Sequence, residues 1–124
     1  MAMYITRALA GCETPQDRIL CVFDVLGQVV AEPGFHGCAS INAGVGARPG
    51  SAVAEASDVS RAWLRSLFVD LSREAGAANP ERLAQQLAQL YDGASVAAQL
   101  DGDYDVAAVA RAAAAKLLDA ATNQ

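Results

Sequence analysis

An all-α fold is predicted by three features of the sequence. Apolar residues recur at three- and four-residue spacing over long stretches, and the breaks between those stretches carry helix-capping residues. No alternating run of β-branched residues competes with this pattern. The 124 residues suit one domain, and an apolar content of 53% suffices for a modest core. Charged residues, 19% of the chain, are too few and too scattered for a disordered segment.

Five to six helices follow from the punctuation. Residues 2–10 form the first, with Tyr4, Ile5 and Leu9 apolar and a stop at Gly11. In "TPQD", Thr14 is placed to cap the second helix, Pro15 suits its first position, and Asp17 faces the positive dipole end. Ile19, Val22, Phe23, Leu26, Val29 and Val30 then give residues 15–31 one apolar face, ended by "EPG". A short helix is expected over 38–45, stopping in "GVGARPG". Ser51 can cap a long helix over 52–75 bearing Val59, Trp63, Leu64, Leu67, Phe68 and Leu71, closed by Gly76. "NPE" at 79–81 repeats the cap, proline and acid order before a helix over 80–100. After "DGD", Asp103 is expected to cap a last helix over 104–120.

Composition excludes several functions. Nine basic residues oppose fourteen acids, giving a formal charge of −5 without a basic stripe, so direct contact with nucleic acid is not expected. "MAMYITRALAG" lacks the order of an export signal, and "RILCVFDVLGQVVA" is too short and too interrupted to cross a bilayer. A cytoplasmic, membrane-free protein is the reading, with Cys12, Cys21 and Cys38 as reduced thiols rather than a disulfide frame.

"GCASINAG" ahead of a long Trp-bearing helix, then "REAGAANPERLAQQLAQLYDGASVAAQL" and "AAVARAAAAKLLDAA", resembles the C-terminal domain of the tetracycline-repressor (TetR) family of transcriptional regulators. The resemblance runs from about Pro15 to Ala121. It implies an effector-binding and dimerising domain over 14–124, with 1–13 the remnant of a helix linking to a DNA-reading helix-turn-helix that the chain lacks. It also implies that the last two helices pair with their copies in a second subunit as a four-helix bundle.

The residues support pairing on their own terms. Leu83, Leu87, Leu90, Tyr91, Ala94 and Ala98 on one helix, with Val106, Val109, Ala110, Ala113 and Leu117 on the next, form a stripe of large knobs and small side chains. Such a stripe serves a dimer interface, or it packs wholly inside its own subunit.

Residues 34–44, "GFHGCASINAG", hold the only histidine. His36 and Cys38 are too few for a metal site, and nothing is placed to orient a Cys–His catalytic pair. No cofactor and no enzymatic activity are expected. A pocket rim fits better: Phe35 and Ile41 offer apolar contact, His36 and Asn42 directional hydrogen bonds. Phe23, Leu26, Trp63, Leu67 and Cys38 complete the candidate site for a small apolar or amphipathic effector, although the helical spacing of Phe23 and Trp63 favours the core for these two. Two other functions stay open. One is a dimeric interaction module that pairs with a full-length regulator. The other is a redox-responsive protein in which Cys38 oxidises with Cys12 or Cys21 as resolving partner.

Overall fold

A computed structural model of the chain describes residues 2–32 and 51–122. Five helices occupy the described residues: α1 (Ala2–Leu9), α2 (Pro15–Val30), α3 (Ala52–Glu74), α4 (Pro80–Asp101) and α5 (Val106–Thr122). No strand occurs among them, so the all-α prediction holds. The predicted helix over 38–45 lies outside the described residues.

Capping accounts for most boundaries. Thr14 Oγ1 accepts the amide of Asp17 at 3.0 Å, and Asn79 Oδ1 accepts that of Arg82 at 3.2 Å. Each cap is followed by the expected proline, whose missing amide costs nothing in the first turn. Helix α3 ends in a Schellman motif: the Ala77 amide reaches the Ser72 carbonyl and the Gly76 amide that of Arg73, with Gly76 at φ 85°. The last helix starts two residues later than predicted. Asp103 Oδ1 accepts the amide of Asp105 at 3.0 Å, building a tight turn that delays helix entry instead of capping it directly.

Helix α2 is the centre of the fold. Ile19, Val22, Phe23, Val25, Leu26 and Val30 are buried along it, and it packs against every other described helix. Helices α3, α4 and α5 follow as an up-and-down series joined by short turns, α4 lying against both neighbours. Helix α5 packs against α2 beside Gly27, where a Cβ would stand 3.4 Å from that of Ala107, in ordinary contact. At the rim of the same contact, Arg111 Nε meets Asp24 Oδ1 at 3.0 Å. One pole of the bundle is laced by backbone acceptors. Gln16 Nε2 donates to the Ala75 carbonyl at 3.5 Å, and the Ala78 amide to that of Ala121 at 3.2 Å.

Cys12 and Cys21 are joined by a disulfide, which corrects the reading of the cysteines as reduced thiols. Spacing concealed the pair. The turn at 11–13 reverses the chain after α1, so Cys12 returns beside the second turn of α2, where Cys21 projects. The two Cα atoms are 7.3 Å apart. Cys38 lies outside the described residues.

Packing rather than capping should dominate stability. Replacing the fully buried Leu87 by Ala is expected to cost about 2–5 kcal/mol. Loss of the Asn79 cap in Asn79→Ala should cost about 1 kcal/mol. Urea unfolding of the two variants checks the order, and equal costs would contradict it.

Candidate functional site

The predicted effector residues divide. Phe35, His36, Cys38, Ile41 and Asn42 lie outside the described residues. Phe23 and Leu26 are each 1% exposed, as full members of the core, and Leu67 packs partly buried against it. The Phe23 ring lies 6.1 Å from that of Phe68 and 6.3 Å from that of Tyr91, nearly parallel to the first and edge-on to the second. This aromatic group joins α2, α3 and α4. Trp63 is displaced from it, 37% exposed on α3, while Leu64 takes the inward position.

The residues assigned to pairing divide by burial. Leu83, Leu87, Tyr91, Ala94, Ala98 and Ala110 are buried in the chain's own core, and Leu90, Val106, Ala113 and Leu117 are partly buried. Only Val109 is open to solvent, at 64% exposure. The reason is the demand of α2, whose broad apolar surface draws the large knobs of α4 inward. A different strip faces out: Gly93, Val96 and Leu100 on α4, Tyr104 in the turn, and Val109 with Ala108 and Ala112 on α5. A Cβ placed on Gly93 would meet nothing within 4 Å. Sequence carried a signal for this strip, since Gly93, Val96 and Leu100 recur at three- and four-residue spacing behind the buried stripe.

Between α3 and α4 runs a half-open groove of about 430 Å³, which sequence reading did not single out. Arg61, Arg65 and Val69 form one wall, and Gln85, Gln89 and Asp92 line the other. All six stand at helical spacing, and the hairpin sets the two rows face to face. Arg61 Nη2 meets Asp92 Oδ2 at 2.7 Å, both side chains about one-third exposed. Glu81, at the end of the groove, turns to Arg73 at 3.1 Å. The lining offers hydrogen bonds and balanced charge but no Ser, Thr, Cys, His or Lys nucleophile. Among the described residues no three His, Cys, Asp or Glu converge to hold a metal, and no helix is long and apolar enough to cross a membrane.

The fold has close counterparts. A TetR-family transcriptional regulator from Streptomyces coelicolor superposes with a TM-score of 0.89 over 98% of this chain, at 23% identity, and 65% of that regulator is covered. A chain from Streptomyces avermitilis ascribed to the TetR transcriptional regulators is 31% identical, with a TM-score of 0.77 over 97% of this chain and 67% of its own. The chain thus spans about two-thirds of the length of these relatives. No family model matches the sequence, and neither does any curated protein.

The groove's ion pair holds α3 to α4. A double-mutant cycle of Arg61→Ala and Asp92→Ala should give a coupling of about 0.5–1 kcal/mol that shrinks in 1 M salt. Additive effects would show that the pair contributes nothing to the hairpin.

Proposed function

This chain belongs to the TetR family of transcriptional regulators, and on that premise we propose that it is the ligand-sensing, dimerising part of such a regulator. The observation that carries the reading is 31% identity to the Streptomyces avermitilis chain over nearly the whole sequence, with the same helical fold. The proteins it resembles are transcriptional regulators, which supports a regulatory rather than an enzymatic role.

The dimer forms through the outward strip of α4 and α5, not through the stripe already buried in the core. Gly93, Ala108 and Ala112 let a second copy approach closely, while Val96, Leu100, Tyr104 and Val109 supply apolar contact. Exposed apolar residues gathered along one strip support an interface, since monomers seldom leave such a strip in water. A small apolar or amphipathic effector binds among residues 15–31, 38–45 and 52–75, with His36 and Asn42 as the candidate polar contacts. Residues 1–13 act as the linking helix. Effector binding shifts α1 against α2, and a DNA-reading segment responds. Coupling of this kind typically amounts to about 1–3 kcal/mol and needs an effector that prefers one arrangement. With a charge of −5 and no basic stripe, the chain leaves contact with DNA phosphates to that segment. The protein works in the cytoplasm.

Native mass spectrometry of the purified chain tests both halves. A dimer carrying a discrete extra mass is expected, and stripping that mass should lower the melting temperature. Leu100→Glu and Val109→Glu should each give a monomer with unchanged helical circular dichroism. A wild-type monomer would remove the dimer. Failure of every apolar or amphipathic compound in a screen to raise the melting temperature would remove the sensor.

A further inference from the structure

We infer that the Cys12–Cys21 disulfide is a redox-operated latch that fixes α1 on α2, closed by a low-molecular-weight disulfide such as glutathione disulfide and opened by thiols. Helix α1 has eight residues, too few to persist in water without packing. Its packing is thin. Ile5 is its one buried side chain, Ala8 and Leu9 are partly covered, and its main neighbour is α2. Met3 and Tyr4 face solvent. Cys12 lies in the turn three residues past Leu9, its amide bonded to the Leu9 carbonyl at 3.0 Å, so the bridge fastens the end of α1 to α2 through that turn.

The site suits thiol chemistry. Cys12 and Cys21 are each partly exposed, so a tripeptide-sized reagent can approach without unfolding the core. Arg18 Nε donates to the Cys12 carbonyl at 3.2 Å and stands one helical turn before Cys21. A permanent cation is thus bonded to the backbone of Cys12, and a cation near a cysteine favours its thiolate.

Closure proceeds by exchange. One cysteine, as thiolate, attacks a sulfur of glutathione disulfide, forming a mixed disulfide and expelling one glutathione thiolate. The second cysteine thiolate attacks the protein-side sulfur, the Cys12–Cys21 bond forms, and the second glutathione leaves. The two protons lost by the cysteines end on the two glutathiones. The protein pair is oxidised by two electrons, and glutathione disulfide is reduced by two. Opening is the reverse.

In the proposed function α1 relays the signal, so the latch would gate that relay. This consequence rests on the family reading, whereas the latch itself does not. The full chain, in a Cys38→Ser background, is equilibrated over a series of glutathione to glutathione disulfide ratios spanning cytosolic to secretory conditions. Alkylation with peptide mapping reads the thiols, and amide hydrogen exchange reads residues 3–9. Cys12 and Cys21 should convert together within the series. Exchange in α1 should be about tenfold faster in the reduced chain, with α4 unchanged. Cys12→Ser and Cys21→Ser should exchange fast at every ratio. A bond that persists at all ratios, a stable glutathione adduct in its place, or equal α1 exchange in both states would overturn the latch. The unsubstituted pair alone decides if the serine variants fail to fold. Neither readout involves DNA, dimer or effector, so failure here leaves the family reading standing, and failure there leaves these results intact.

Discussion

Helix α2 must be covered on nearly every side, and the arrangement of the other helices follows from that demand. Six of its sixteen residues are buried apolar side chains, more than one facing helix can shield. Phe23 illustrates the solution, gripped by Phe68 of α3 and Tyr91 of α4. On the other side Ala107 of α5 packs beside Gly27. The three C-terminal helices form a shell around α2, and α1 rides on what remains of its surface.

That demand explains which parts of the molecule were legible in sequence. Caps are local, so "TPQD" and "NPE" announced the starts of α2 and α4 to the residue. The stripe of Leu83, Leu87, Tyr91, Ala94 and Ala98 was equally plain, but periodicity reports that a face is buried and not what buries it. A stripe meant for a second subunit and one meant for α2 look alike. Asp103 misled for a related reason: the same side chain can cap a helix or close a turn two residues on, and sequence does not distinguish them. The cysteine pair was hidden because its partners belong to a turn and a helix whose relative placement only the folded chain supplies. Of the candidate pocket, Phe23 and Leu26 lie in the core and Leu67 packs partly buried against it, while Trp63 is 37% exposed.

The molecule separates its tasks by surface. Most large apolar side chains are consumed inside, and the outer side of α4 and α5 carries a strip of small residues with Val96, Leu100 and Val109. Polar side chains line the cleft between α3 and α4. The chain's thinnest attachment is at α1, and there a covalent bond supplements the packing.

The lacing at one pole has an electrostatic consequence. Gln16 and Ala75 bring the start of α2 to the end of α3, and Ala78 and Ala121 bring the start of α4 to the end of α5. Helix beginnings and helix ends therefore alternate there, and partial positive and negative charges of the backbone face one another at close range. Their fields largely cancel a short distance away. What an approaching molecule senses from afar at that pole is then mainly the side chains, on a chain whose net charge is −5.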